Sequence, residues 1–277
     1  MSNILMLKPL ANLVEKDSKL WVRDLNQVFT ATNGKTTAAI KNVNLQIADQ
    51  EFVAIVGPSG CGKSTLLNIL AGLIKPSKGE VLLDGITING ISSRIGYMSQ
   101  ADSLLPWRTV LDNVAIGLEI KGVPKAERNS VARELIARTG LKGFEDSYPS
   151  ELSGGMRKRV AIIRILALDP EILFMDEPFG ALDVLTKEML QDDILKLWQE
   201  TKKTIVFVTH DLTEAITLAD RVVLMTSRPS TIKSEYNIPL ERPRSALETR
   251  FDPQFVELQK LIWNDLRTEV IMAKGGE

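Results

Sequence analysis

The sequence predicts an α/β fold around a mostly parallel sheet, and two patterns support this prediction. Four short runs are apolar without the alternation of a half-buried strand, which is typical of parallel strands buried on both faces; they span residues 52–56, 172–175, 204–208 and 222–225. Stretches with helical periodicity lie between these runs, as expected for a parallel sheet. Because such sheets bind ligands at the carboxyl ends of their strands, we expect the functional residues directly after the runs.

The composition is that of an ordinary globular protein, with 44% hydrophobic and 25% charged residues. The 277 residues suit one large domain, or one domain with an inserted subdomain. The net charge of −1 lacks the basic excess that nucleic-acid binding requires, so we predict no nucleic-acid partner. Cys61 is the only cysteine, which excludes an internal disulfide and favours a cytoplasmic setting. We find no apolar run long enough for a secretory signal or a membrane span, so work at a membrane would require another subunit.

Two further segments differ from the alternating core. The residues before the first run predict an additional N-terminal antiparallel β layer. Residues 101–155 predict successive helices, one beginning near Thr109 and one after Pro124, with an apolar face formed by Val131, Leu135 and Ile136. We interpret this segment as a helical subdomain inserted into the α/β core.

The C-terminal segment predicts one more helix over residues 253–270. Asp252 and Pro253 form an N-cap followed by proline at the first helical position. Apolar residues then recur at helical spacing and give one apolar face: Phe255, Leu258, Ile262, Leu266 and Val270. Because the segment is too short for a core of its own, we expect it to pack on the rest of the chain. A contact with a second subunit is the alternative.

Residues 57–64, GPSGCGKS, match the phosphate-binding loop pattern, directly after a strand and before a helix over residues 63–70. Glycines let backbone N–H groups converge on phosphate oxygens, and the helix N-terminus adds the positive end of its dipole. We expect Lys63 to contact the β- and γ-phosphates and Ser64 to coordinate Mg²⁺. The alternative is a glycine-rich turn that contains Lys and Ser by chance, and the strand before the loop and the helix after it argue against this alternative. The predicted contacts to ATP are Gly57, Pro58, Ser59, Gly60, Cys61, Gly62, Lys63, Ser64 and Thr65.

Cys61 lies inside this loop, among converging N–H groups and near Lys63. That environment favours a thiolate, so the sequence predicts a reactive cysteine that nucleotide protects. A buried and inert thiol is the alternative.

Asp176 and Glu177 follow the second apolar run. Phosphoryl transfer requires a metal ion held opposite the loop and a group that orients the attacking water. Asp176 suits the first role, and Glu177 suits the second as a general base. Such a pair alone is usually a solvated strand end, but the phosphate loop strengthens the functional interpretation.

Two more polar sites complete the set. Ser153, Gly154 and Gly155 precede an amphipathic stretch over residues 157–168 and would present free N–H groups at a helix N-terminus, a second anion site. A helix cap without a ligand is the alternative, which an isolated Ser-Gly-Gly would favour. His210 is the only histidine, and it follows the third apolar run, level with the other strand ends.

Together these residues resemble the nucleotide-binding subunit of an ATP-binding cassette (ABC) transporter. The resemblance covers roughly residues 21–225, in the order of that family: the loop, Gln100, the signature 152–155 (LSGG), Asp176 and Glu177, residues 181–183 and His210. It implies a P-loop NTPase (RecA-like) core with an N-terminal antiparallel β layer and an inserted helical subdomain. It also implies an N-terminal extension over residues 1–20, an ATPase domain over 21–227 with its helical subdomain at about 101–155, and a C-terminal extension over 228–277.

The resemblance further implies the role of each residue, with ATP and Mg²⁺ as cofactors. Phe29 stands where an aromatic ring stacks on adenine, and Gln100 senses Mg²⁺ and nucleotide. Ser153, Gly154 and Gly155 bind the nucleotide held by a second ATPase subunit. Asp183 lies in the loop that contacts this second subunit. Catalysis is assigned to Glu177, His210 and Lys63, and Mg²⁺ binding to Ser64, Gln100 and Asp176. Met156 and Lys158 replace glutamines frequent at these positions, and neither change removes a phosphate contact.

Three details resemble the nitrate, sulfonate and taurine importer ATPases: residues 105–107 (LPW), 178–183 (PFGALD) and 228–230 (RPS). The resemblance thus implies a peripheral subunit at the cytoplasmic face of the inner membrane, with permease subunits and, indirectly, an extracytoplasmic solute-binding protein as partners. We expect residues 104–107 to dock on the permease, the alternative for Trp107 being a buried core contact. An exporter or lipoprotein-release ATPase and a non-transport ABC ATPase remain alternatives. A P-loop kinase would leave the signature and His210 without a role.

Overall fold

The computed structural model describes residues 6–7, 18–180 and 182–274, so the expectations for Ala181 and for most of the N-terminal extension lie outside it. The strands are β1 (Met6–Leu7), β2 (Ser18–Thr30), β3 (Thr36–Ala48), β4 (Phe52–Val56), β5 (Lys78–Leu83), β6 (Ile86–Thr87), β7 (Ile95–Met98), β8 (Ile172–Asp176), β9 (Thr204–Val208), β10 (Arg221–Met225) and β11 (Ile232–Asn237). The α-helices are α1 (Lys63–Leu70), α2 (Val110–Ile120), α3 (Lys125–Arg138), α4 (Gly154–Leu166), α5 (Val184–Thr201), α6 (Leu212–Leu218) and α7 (Pro253–Lys274).

The larger sheet has the strand order β1-β11-β10-β4-β9-β8-β7. The strands from β10 to β7 are parallel to one another, and β11 and β1 pair antiparallel at one edge. Every residue of β4, β8, β9 and β10 is buried, which explains their continuous apolar runs. The predicted α/β fold with a mostly parallel sheet is confirmed.

The second sheet is antiparallel, in the order β3-β2-β5-β6. It is the predicted N-terminal β layer, although β2 begins at Ser18, three residues before the expected start of the domain. Helix α1 contributes Leu66, Leu67 and Leu70 to one hydrophobic cluster with residues of β2, β3, β4 and β9. The helix that begins at the phosphate loop is therefore packed against both sheets.

Helices α2, α3 and α4 share a separate hydrophobic cluster, which forms the core of the helical segment. Thr109 caps α2 by accepting a hydrogen bond from the N–H of Asp112, as the predicted helix start requires. The predicted face of α3 is wrong at Val131, which is exposed. Ala132 is buried in its place, one helical turn before Ile136, which is buried as predicted, and Leu135 packs partly buried against the same cluster.

Helix α7 begins at Pro253, and Asp252 Oδ1 accepts a hydrogen bond of 2.7 Å from the N–H of Gln254. Phe255, Leu258, Ile262 and Leu266 are buried in the cluster that also contains residues of β4, β8, β9, α5 and α6. The C-terminal helix thus packs on the α/β core. None of the helices in the described part of the chain has the length and apolar character of a membrane span.

Candidate active site

A cavity of about 600 Å³ opens at the carboxyl edge of the parallel strands. Residues that lie far apart in the sequence line it: Ser59, Gly60, Gly62, Lys63, Ser64, Thr65, Gln100, Glu177, His210 and Arg228. The structure therefore brings the phosphate loop together with the predicted metal-binding, general-base and histidine positions.

The phosphate loop leads from the end of β4 into α1 through a left-handed backbone. Gly62, the residue before α1, has φ 118°, and a Cβ there would lie 3.3 Å from the carbonyl oxygen of Ala39. The positive φ favours glycine at this position, and the Ala39 carbonyl leaves little room for a Cβ. Lys63 is buried, and its Nζ donates to the carbonyls of Gly57 and Pro58 at 2.9 Å each. Its ammonium group therefore lies at the phosphate loop, where it is predicted to contact the β- and γ-phosphates.

Ser64 lines the cavity and donates from Oγ to Asp176 Oδ1 at 3.1 Å, while Asp176 itself is buried and not among the lining residues. Burial raises the pKa of Asp176. No group of three or more His, Cys, Asp or Glu side chains that could hold a metal occurs in the described residues. A hydroxyl and a carboxylate beside a phosphate site nevertheless suit Mg²⁺, which is commonly held by one or two protein oxygens together with phosphate oxygens and water. The residues present thus fit the predicted metal.

Glu177 lies between two of the other predicted residues. Gln100 Nε2 donates to Glu177 Oε2 at 3.1 Å, and His210 Nδ1 lies 3.2 Å from Glu177 Oε1. The backbone of Glu177 has φ 46°, an uncommon left-handed conformation for a glutamate, and its N–H donates to the carbonyl of Val208 on β9. Such strain is concentrated at functional sites.

A network that the sequence did not reveal supports the loop that carries His210. Lys187 on α5 pairs with Asp211 at 2.7 Å and with Glu214 at 2.5 Å, and Thr209 donates to Glu214. Burial raises the pKa of Glu214. This network joins α5, α6 and the end of β9, and it holds the residues on both sides of His210.

Arg228 is the second feature that sequence reasoning missed. Its Nη2 donates to the carbonyl of Gly60 at 2.5 Å, and the residue lines the cavity. Nearby, Ser230 bonds to the backbone of Ala39 and Lys41 in β3, so this segment connects the phosphate loop with the antiparallel sheet. The sequence singled out residues 228–230 only as a resemblance; an arginine after the last parallel strand was the available signal.

The signature residues lie outside this cavity. Ser153 caps α4 by accepting from the N–H of Met156, so the helix N-terminus lies at the predicted residues. A Cβ on Gly155 would lie 2.3 Å from Cγ2 of Thr186, so glycine allows α4 to approach α5 closely. Asp183 caps α5 by accepting from the N–H of Thr186. The second anion site therefore does not join the first within this chain.

The structure also shows where Phe29 and Cys61 lie. Phe29 is on β2, half-exposed, and not among the residues that line the cavity. Cys61 is 2% exposed, and burial raises the pKa of its thiol. The predicted reactive thiolate is therefore wrong, because desolvation outweighs the nearby positive charge of Lys63. Its predicted backbone contact with ATP is unaffected.

The fold and the site together define a phosphate-loop ATPase with an antiparallel β layer and a helical insertion. Residues 40–180 match the family model for ABC transporters. The chain is 51% identical to an uncharacterised ABC transporter ATP-binding protein of Methanocaldococcus jannaschii, over 91% of this chain and 93% of that protein. The chain therefore belongs to the ABC transporter ATPase family, and it is an ATP hydrolase.

Two further comparisons refine this assignment. A taurine import ATP-binding protein of Roseobacter denitrificans is 40% identical, over 92% of this chain and 97% of that protein. This similarity confirms the resemblance to the nitrate, sulfonate and taurine group. A dimeric ATP-binding cassette bound to ADP and phosphate in a post-hydrolysis state superposes with a TM-score of 0.71 and 35% identity, covering 80% of this chain and all of that one.

Asp176→Asn should make the nucleotide-free protein more stable while abolishing Mg-ATP hydrolysis. A buried carboxyl with a raised pKa binds a proton more tightly in the folded state, so near neutral pH its charge opposes folding. Asparagine removes that charge and keeps an acceptor for Ser64. In the presence of a metal chelator, the unfolding temperature should rise by about 2–4 °C for each kcal/mol gained in the free energy of unfolding.

The gain should shrink as the pH falls through the Asp176 pKa, where the wild-type carboxyl becomes protonated. Asp169→Asn, at a surface carboxylate whose side chain is 86% exposed, is the matched control and should change little. A lower unfolding temperature for Asp176→Asn would contradict the assigned cause.

Proposed function

We propose that this chain is the ATPase subunit of an importer. In this proposal it binds and hydrolyses Mg-ATP within a dimer of two cassettes and drives the uptake of a small anion, such as nitrate, a sulfonate like taurine, or bicarbonate. The observation that carries the ATPase part is the contact of Glu177 with both Gln100 and His210 beside the phosphate loop. The taurine import relatives favour import over export, and the net charge disfavours a nucleic-acid substrate.

The proposed chemistry follows from the side chains of the cavity. Backbone N–H groups of the loop and Lys63 would bind the phosphates, while Ser64, Asp176 and Gln100 would hold Mg²⁺. The ion, when bound, neutralises charge that develops on the phosphate oxygens. Glu177 orients the attacking water and accepts its proton, and His210 contacts the γ-phosphate and holds Glu177 in place.

The dimer explains the separation of the two anion sites. Ser153, Gly154 and Gly155 lie at a helix N-terminus outside the cavity that contains the phosphate loop. A second copy of the cassette, facing the first, would bring its nucleotide to this helix N-terminus. Asp183, at the start of α5 beside the signature, would contact the same partner, and Phe29 would stack on adenine at the far side of the nucleotide.

The proposed docking region for the permease is residues 104–107. Trp107 is 72% exposed, so the alternative of a buried core contact is wrong. An exposed tryptophan is a common anchor in protein interfaces. Membrane-spanning subunits would hold the chain at the cytoplasmic face of the inner membrane, and an extracytoplasmic solute-binding protein would deliver the solute to them.

Glu177→Gln should still bind ATP but lose most of its turnover, because the amide cannot accept the proton of the attacking water. Loss of a general base costs about 10²–10⁴-fold in rate. Steady-state ATPase measurements and the binding of a fluorescent ATP analogue test the two halves of the expectation. An ATPase rate near that of the wild type would remove Glu177 from its assigned role.

A mixed dimer of Lys63→Ala and Ser153→Arg subunits should regain activity that neither inactive variant has alone. Each variant damages a different half of a composite site, so one of the two sites is intact in the mixed dimer. Titrating one variant into the other while measuring ATPase activity tests the facing dimer. If no mixture regains activity, each site is formed by one chain alone.

The importer proposal is tested with the membrane-spanning subunits that it requires. Proteoliposomes that contain the whole complex, with its solute-binding protein, should take up labelled taurine, nitrate or bicarbonate when ATP is supplied to the side that carries this chain. Glu177→Gln is the control for coupling to hydrolysis. ATP-driven movement of solute only in the opposite direction would instead indicate an exporter.

A further inference from the structure

Lys158 is a buried lysine whose ammonium group is fully engaged with one short segment. Its side chain is 7% exposed. Its Nζ donates to the backbone carbonyl of Gln100 at 2.7 Å and lies 2.9 Å from Asp102 Oδ1. A buried charge is costly unless it is paired and hydrogen-bonded, so these contacts constrain both α4 and the Gln100 segment.

Two arginines of the same helix add to this contact. Arg157 Nε lies 3.4 Å from Asp102 Oδ2, and Arg164 Nη1 donates to the carbonyl of Ser103 at 2.7 Å. Arg164 Nη2 also reaches the carbonyl of Asp102 at 3.2 Å. We refer to Arg157, Lys158 and Arg164 as the α4 clamp. All three hold residues 100–103, and only Lys158 bonds to Gln100 itself among the contacts described.

The position of the clamp connects the two halves of the proposed composite site. Gln100 bonds through its side chain to Glu177. Helix α4 begins directly after Ser153, at the predicted contact with the partner's nucleotide. Lys158 follows one turn later and bonds to the backbone of Gln100. A shift of α4 would therefore move the residue that holds the general base.

We propose that Lys158 is a positioning residue for Gln100. Through Lys158, the position of helix α4 determines the contact between Gln100 and Glu177. This inference rests on the proposed ATPase mechanism. Lys158 is not among the residues that line the cavity, and it acts through the backbone of Gln100. Substitution of the lysine should therefore lower kcat much more than it changes the apparent affinity for ATP.

The chain offers a matched control on the same helix. Arg159, the next residue, forms an ion pair with Asp193 on α5, with Nε 2.8 Å from Oδ2. Arg159→Met removes a cation from α4 as Lys158→Met does, without touching residues 100–103. Lys158→Arg keeps the cation and a donor and should restore most of the activity. Thermal unfolding of each variant identifies any loss of ATPase activity that comes from misfolding.

Hydrogen exchange of the nucleotide-free chain tests the structural half of the proposal without any ATPase assay. Peptides that cover residues 99–105 should exchange faster in Lys158→Met and keep the wild-type rate in Arg159→Met. Unchanged exchange in Lys158→Met would overturn the proposal. This measurement remains decisive even if the wild-type chain hydrolysed no ATP, an outcome that would refute the proposed function instead.

A double-mutant cycle tests the functional half. Lys158→Met should lower kcat about 10-fold, within the range that a small misplacement of a catalytic group produces. In the Gln100→Ala background the same substitution should lower kcat less than about 2-fold, because the effects of two residues that act through one another are not additive. Equal fold-losses in both backgrounds, or no loss in the wild-type background, would overturn the positioning role.

Discussion

The packing of α1 between the two sheets is the constraint on which the site depends. Leu66, Leu67 and Leu70 bury one face of this helix in the cluster that joins the antiparallel layer to the parallel sheet. Burying a leucine side chain stabilises a fold by about 1.5–3 kcal/mol, so the helix is held firmly along its length. Its N-terminus then has one position relative to β4, and the phosphate loop must turn sharply to connect them. The left-handed Gly62 and the contact of Arg228 with Gly60 follow from that turn.

Glu177, the proposed general base, is positioned from three directions. Its backbone is tied to β9 through the carbonyl of Val208, and its carboxylate contacts Gln100 and His210. The unusual φ of Glu177 is maintained because these partners belong to different elements. The His210 side depends on Lys187 of α5, and the Gln100 side depends on the α4 clamp. Helices that do not line the cavity therefore determine its geometry.

The close approach of α4 to α5 determines where the proposed second anion site lies. Gly155 lies against Thr186, and Asp183 caps the neighbouring helix, so the signature and the start of α5 form one surface. This surface is separate from the cavity of the same chain. The proposed facing dimer would account for that separation, and the solved dimeric cassette with ADP and phosphate is similar to this chain over 80% of its length.

The sequence by itself determined the parallel strands, the phosphate loop, the N-caps at Thr109 and Asp252, and the family, because each depends on a local pattern or a short motif. The roles of the site residues, Phe29 and Asp183 among them, stay predictions. Only the tertiary structure decided which side chains are buried and which distant residues meet. The buried Cys61, the exposed Val131 and the contacts of Arg228, Lys187 and Lys158 all depend on elements far apart in the chain. Desolvation and long-range ion pairs are properties of the packed molecule, so no local pattern could have predicted them.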